Sequence, residues 1–312
     1  MKSNNQGVMM AKKKNLFRRM LDYKHIYIIL LPTLLYYLIF KYIPMFGNVI
    51  AFQDYKITRG VFESEFVGFK NFVEFLTNYK FFELLRNTIS INVLNLVLGF
   101  PAPILLALLL NEVKNLRFKK SVQTITYMPH FISTVVVSSL LLTFLSSDGL
   151  FNGLREIFGA DKISFMTEPK YFHMIYVLSG IWQGIGWNSI IYISAISSVS
   201  QELYEAATID GASRFKQALH VTLPGIRETI IILLIMNIGQ MLSLGYEKII
   251  LLYNPSIYET ADVISTYVYR RGLLEGDYSY SAAVGMFNSV INFALLMTSN
   301  AISKKVSGSG LW

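Results

Sequence analysis

Six long apolar runs dominate the chain, near 26–46, 89–110, 122–145, 172–197, 228–252 and 281–302, with polar intervals between them. Each is long enough for a helix to cross a bilayer, which takes roughly 18 to 20 residues. Prolines fall inside three of them: Pro32 and Pro44, then Pro101 and Pro103, then Pro129. A proline inside a span is tolerated where neighbouring helices or water satisfy the freed carbonyls, so these positions point to a packed bundle. No internal repeat stands out. The pattern predicts an all-α membrane protein, with one transmembrane domain of six helices over 25–312 and a short polar arm over 1–24.

Composition agrees with that pattern. The chain is 53% hydrophobic and only 15% charged, and its mean hydropathy of +0.43 sets it apart from soluble two-domain proteins of 312 residues. A net charge of +8 invites a nucleic-acid reading, so its location decides what it means. Lys2, Lys12, Lys13, Lys14, Arg18, Arg19 and Lys24 face only Asp22 within the arm. No basic, aromatic-interleaved domain follows, and no nucleic-acid partner is expected. The arm reads instead as a cytoplasmic anchor attracted to anionic lipid. It is expected to be retained, because the run after it holds Pro32 and Lys41 and leads to no small-residue cleavage site. The absence of cysteine excludes a disulfide framework and thiolate metal sites.

Charge also sets the expected orientation. The 111–121 connection carries Lys114, Arg117, Lys119 and Lys120 against Glu112, and the C-terminal tail carries Lys304 and Lys305. The connections after the first, third and fifth runs are balanced or slightly acidic. Both termini, 111–121 and the interval 201–226 are thus expected on the cytoplasmic side of a prokaryotic plasma membrane. On the other side, Phe66, Phe69, Phe72 and Phe75 would line one face of a short surface helix.

The interval 201–226 reads as two short helices around a break. Ala206 and Ala207 leave the first open to close approach, and Gly211 stops it, because glycine enters a left-handed turn without steric penalty. Ser213 can cap the second helix, which is expected to bury Phe215 and Leu219 and to end at Pro224. Such a charged, small-residue helix is suited to docking into a cleft of another protein.

Within this interval, Glu205-Ala206-Ala207, three residues, Gly211, nine residues and then Val221-Thr222-Leu223-Pro224 resemble the EAA loop of ATP-binding-cassette (ABC) importer permeases. Val221 stands where the family pattern has isoleucine. The neighbouring Asp210-Gly211-Ala212-Ser213 is similar to the carbohydrate-uptake branch, of the maltose and oligosaccharide kind. The resemblance implies a type I importer fold and a coupling helix gripped by an ATPase. It also implies a second permease subunit, two cassette ATPase subunits that hold ATP and Mg, and an extracellular substrate-binding lipoprotein. By the same analogy Glu205 makes the charged contact, Ala206 and Ala207 let the helix seat, Gly211 sets the bend, and Asp210, Leu223 and Pro224 belong to the same ATPase-coupling segment.

No catalytic constellation is present. No glycine precedes a lysine, so there is no phosphate loop, and His25, His130, His173 and His220 are scattered without metal-ligand spacing. Uphill transport would need energy from a separate subunit. The apolar runs do hold neutral polar groups: Thr88, Asn92 and Asn95 share a face, as do Asn237 with Gln240 and Asn288 with Asn292. The fourth run contains Trp182, Gln183, Gly184, Trp187 and Asn188. Amides bond hydroxyls and ring faces pack on pyranose C–H faces, which suits an oligosaccharide pathway. The family resemblance adds that the helix before the EAA loop carries aromatic sugar contacts. The competing reading is packing, since such amides also bond between helices at about 1 kcal/mol each, and Gly180 with Gly184 permits close approach. No intramembrane counter-charge for a charged solute is evident. A permease for a peptide or polyamine, or an ATP-independent carrier or sensor, remains the alternative.

Overall fold

The computed structural model describes residues 23–312, so the basic arm expected over 1–24 lies almost wholly outside the described residues. Helix α1, Lys24–Phe52, carries its apolar side chains on the outside of the bundle. A two-residue antiparallel pair, β1 (Gln53–Asp54) with β2 (Glu65–Phe66), then leads to α2, Lys70–Thr77. The chain continues through α3 (Phe81–Glu112), α4 (Leu116–Phe131), α5 (Thr134–Phe144), α6 (Leu150–Ile157) and α7 (Pro169–Ser197). Beyond it lie α8 (Gln201–Ile209), α9 (Arg214–Gly225), α10 (Arg227–Ile238), α11 (Tyr246–Leu252), α12 (Ile264–Tyr269) and α13 (Tyr278–Ser307).

Among the described residues, α1, α3 and α13 combine spanning length with spanning apolarity, and each of the bent pairs α4–α5 and α9–α10 can add one more. The 29-residue α7 supplies the length of a further span. Two of the six expected runs are therefore not straight. The run over 122–145 turns by 99° between α4 and α5. Pro129 lacks the N–H that would continue α4, and Ser133 restarts the chain by accepting a hydrogen bond from Val136 N. The run over 228–252 breaks between Ile238 and Tyr246, where Gly239 lets the backbone pass Leu296: a Cβ there would stand 2.6 Å from Leu296 Cδ1. Asn292 on α13 holds this broken stretch, its Oδ1 accepting from Leu242 N at 2.9 Å and its Nδ2 donating to Ser243 Oγ at 2.8 Å. Irregular backbone inside a membrane bundle requires partners of this kind.

The prolines bend the ladder in a common way. The segments Leu38–Tyr42, Asn95–Gly99 and Ala218–Thr222 are π-widened, with Ile43, Phe100 and Leu223 each donating to the carbonyl five residues back. Pro44, Pro101 and Pro224 each stand two positions after the end of such a segment. A proline ring presses on the carbonyl four positions earlier, and widening that turn moves the carbonyl aside without ending the helix. Pro224 thus stands one residue before the end of α9, Gly225, close to where that end was expected. The chain then bends by 65° into α10 at Ile226.

Three apolar clusters hold the bundle. Ile91, Phe172, Val177, Ile249 and Leu252 join α3, α7 and α11. Phe75, Phe81, Leu84, Ile264 and Tyr280 join α2, α3, α12 and α13, while Ala107, Tyr192, Ile196 and Ile226 join α3 and α7 to the bend between α9 and α10 at the other end. The phenylalanines of the segment between α1 and α3 split between two groups. Phe75 enters the second cluster, whereas Phe66, Phe69 and Phe72 gather on Phe52, because the helix begins only at Lys70. α7 also meets α4 backbone to backbone, since a Cβ on Gly186 would stand 2.2 Å from Thr126 O.

Candidate functional site: a helical elbow and an amide-lined cavity

The elbow is built by capping. Ser200 accepts from Glu202 N to open α8. At its end Gly211 adopts φ +74°, Gly211 N donates to Thr208 O at 3.1 Å and Ala212 N to Ala207 O at 2.9 Å. This paired arrangement satisfies the last carbonyls of the helix. Ser213 then accepts from Lys216 N to open α9. Two side-chain contacts brace the halves: Gln217 Nε2 donates to Thr208 Oγ1 at 3.1 Å, and Tyr204 OH meets Thr222 Oγ1 at 3.0 Å. The elbow is tied to the end of α3 by Arg214, whose Nη1 donates to Glu112 O at 3.4 Å.

Glu205, Ala206, Asp210, Gly211 and Pro224 are exposed on the elbow, and Ala207 and Leu223 are half-buried. Leu203 and Ile209 are also exposed, and so is Phe215 at 78%, against the expectation that Phe215 and Leu219 would be buried. The face of α9 that turns inward carries Gln217 and Thr222 instead. An elbow that presents a carboxylate, Ala206 and the large apolar side chains of Leu203, Ile209 and Phe215 to the outside has the features of a docking element.

The second feature is a cavity of about 220 Å³ between α3, α7 and α10, walled by Asn95, Gly180, Gly184, Asn188, Tyr192 and Asn237 among others. The π-widened turn and Gly99 position Asn95: a Cβ on Gly99 would stand 2.3 Å from Asn95 Oδ1. Gly184 does the same for Asn188, whose Nδ2 lies 3.2 Å from the place a Cβ would take. Asn237 Nδ2 donates to Leu233 O at 2.8 Å, which leaves its carbonyl oxygen for a ligand. The cavity can thus offer three neutral amides to a hydroxyl-rich solute.

Of the residues predicted for a solute pathway, the structure brings Gly184, Asn188 and Asn237 together and sends the others elsewhere. Trp182 lies on another face of α7, in an apolar groove with Phe144, Phe151 and Met174. Gln183 Nε2 donates to Ile132 O at 2.9 Å and pins the turn between α4 and α5. Trp187 stacks on His130 with ring centroids 4.5 Å apart. Gln240 is exposed on the irregular stretch, Asn292 holds that stretch, and Asn288 Oδ1 is buried without a partner.

Sequence reasoning singled out Asn95 only as part of a polar face, and it passed over Lys248. On α11, Lys248 Nζ donates to Tyr176 O at 3.2 Å and lies over the Tyr176 ring at 4.8 Å from the centroid. The signal was a lysine inside the apolar run YEKIILL.

The segment between α11 and α13 is knitted by ions. Asp262 and Arg270 form a two-pronged contact, with Arg270 Nη1 to Asp262 Oδ1 at 2.9 Å, and Thr266 Oγ1 adds a hydrogen bond to the same carboxylate. Burial acts most strongly and lowers the Arg270 pKa, but the hydrogen bonds that Arg270 donates to Asp262 and Tyr253, with the nearby negative charge, together outweigh it and hold the guanidinium above its ordinary value. Among the described residues, no group of three or more His, Asp or Glu side chains is placed to hold a metal.

Comparison with known proteins adds a family. Residues 99–308 match the family described as binding-protein-dependent transport system inner membrane component. The chain is 47% identical over 302 residues to the polygalacturonan/rhamnogalacturonan transport system permease protein YteP of Bacillus subtilis (strain 168), covering 96% of this chain and 94% of that protein. It is 46% identical over 290 residues to Protein LplB of the same organism, covering 93% of this chain and 91% of that one. A chain of a bacterial alginate ABC transporter, crystallised with an alginate pentasaccharide-bound periplasmic protein, superposes with a TM-score of 0.87 at 42% identity and covers 95% of this chain and 99% of its own. A second crystal structure, of a bacterial ABC transporter involved in the import of the acidic polysaccharide alginate, gives a TM-score of 0.86 at 42% identity over 94% of this chain and 99% of that chain. With a matching family segment over two thirds of its length and relatives that align nearly end to end, this chain belongs to the inner membrane components of binding-protein-dependent transport systems.

Proposed function

We propose that the chain is a permease subunit of an ATP-driven importer and moves an oligosaccharide handed over by an extracellular binding protein. The near-full-length similarity to a polygalacturonan/rhamnogalacturonan permease carries this reading. The amide-lined cavity supports it, because neutral amides suit hydroxyl groups, whereas a polyamine would find no carboxylate among the lining residues.

In this reading the energy arrives through the elbow. Cassette ATPase subunits, which hold ATP and Mg, seat α8 in a cleft; Glu205 makes the charged contact and Ala206 and Ala207 allow close approach. When the ATPases close, the braced elbow moves as one piece, and α9–α10 carries the movement to Asn237 at the cavity wall. A second permease subunit completes the passage, with both termini in the cytoplasm. Uptake of labelled oligosaccharide into liposomes that hold the whole importer tests this. Uptake should require ATP inside and binding protein outside, and transport by this chain alone would refute the reading.

A further inference from the structure

The outer part of the bundle holds one half-buried cation in surroundings unlike those of its neighbours. Arg270 faces Asp262, and Arg271 faces Glu74, Glu275 and Asp277. Among the described residues, Lys248 has no carboxylate within ion-pair distance; its contacts are the Tyr176 carbonyl and ring. An ammonium carries three donors, and one carbonyl occupies only one of them while leaving the full charge unmatched. Withdrawing such a charge from water without a counter-ion is costly, which argues for a partner that arrives from outside the chain.

The place where that partner would arrive is defined by Gly180. This residue lies one turn along α7 from Tyr176 and lines the amide cavity. A Cβ on Gly180 would stand 3.8 Å from Lys248 Nζ, so the bare glycine leaves the ammonium next to the cavity wall. The same cavity presents Asn95, Asn188 and Asn237. One unmatched cation beside three neutral amides fits a solute that carries a carboxylate among many hydroxyls. A neutral sugar would use the amides and leave the ammonium unpaired. Independently, one of the superposing transporters imports an acidic polysaccharide.

We propose that Lys248 is the carboxylate-recognising side chain of the cavity and that the solute is a uronate-containing oligosaccharide. This rests on the oligosaccharide-import reading and narrows it. With no solute bound, Nζ is held by Tyr176 O; a uronate carboxylate entering beside Gly180 accepts the remaining N–H donors in a charge-assisted contact. The amides then take the ring hydroxyls, and acid and neutral oligomers of equal length are separated by a single ion pair.

The test uses the whole importer in liposomes, with its binding protein at saturation. Uptake of trigalacturonate is compared with uptake of its methyl ester, which has the same shape without the charge. Lys248→Met should lower the rate for the acid at least tenfold and change the rate for the ester less than twofold. Lys248→Arg should retain most of the acid rate. The ester also shows that the Met variant is folded and assembled. Equal losses on acid and ester would assign Lys248 a purely structural role and overturn the inference, as would an unchanged acid rate in Lys248→Met. A wild-type importer that moves the ester as fast as the acid would overturn uronate selectivity while leaving oligosaccharide import standing. A wild-type importer that moves neither would remove the underlying reading as well.

Discussion

Replacing Gly186 by alanine tests the tightest helix contact in the bundle. A methyl group there would stand 2.2 Å from Thr126 O and 2.4 Å from Thr126 C, whereas Cβ atoms essentially never come within 3.0 Å of a neighbour. The two backbones would have to part by about 1 Å, and neither is a flexible side-chain end that can swing away. Overpacking of this kind costs typically 1 to 3 kcal/mol, and a backbone-to-backbone clash belongs at the upper end, about 3 kcal/mol. At 1.4 kcal/mol per decade, that is roughly a hundredfold in the folding equilibrium. Gly153 on α6 supplies the control, because nothing lies within 4 Å of a Cβ placed there. Alanine at that position should be neutral or stabilising by up to about 1 kcal/mol through helix propensity alone. Unfolding midpoints of the detergent-purified importer complex would measure both variants. If Gly186→Ala unfolds at the wild-type midpoint, the α4–α7 contact is not as close as described.

The elbow gives a second prediction. Gly211→Pro, which cannot adopt φ +74° and loses the bond to Thr208 O, and Glu205→Lys should each reduce uptake at least tenfold while the chain stays inserted and at normal abundance; wild-type uptake in both would count against the coupling role. For the Asp262–Arg270 ion pair, Asp262→Asn should destabilise by about 3 kcal/mol because it strands a half-buried guanidinium, and pairing Asp262→Leu with Arg270→Met should restore part of that loss in thermal unfolding. Asn292→Leu removes both contacts that hold the break between α10 and α11; at about 1 to 3 kcal/mol for unsatisfied groups, it should raise the protease sensitivity of 239–245 while the rest of the chain keeps its cleavage pattern.

Several elements were legible from residue order alone. Gly211 and Ser213 specify the elbow locally: one residue type tolerates a left-handed turn and the other caps a helix, and no distant contact is needed to choose them. The spans at α1, α3 and α13 were equally plain, because apolar length is a sufficient signal. The irregular stretch after α10 was hidden, since Ile238, Met241 and Leu242 read as continuous span and the support comes from Asn292, some 50 positions away. The faces of α7 were misjudged for a related reason. Trp182 and Trp187 look like sugar platforms in sequence, but one turns to an apolar groove and the other is taken up by His130, whose position depends on the turn between α4 and α5. Lys248 escaped notice because a lysine beside Glu247 reads as a span end until Tyr176 is seen beneath it.

The widened turns before Pro44, Pro101 and Pro224 have a further implication. An extra residue in one turn rotates everything after it by about 100°, the angle that separates consecutive residues of a helix. A heptad or helical wheel drawn straight through any of the three sites therefore places the two halves out of phase. Asn95 and Ala107 on α3 belong to different angular frames, and removing a single residue between them would swing the cavity wall away from α7 while leaving the apolar length of the span intact.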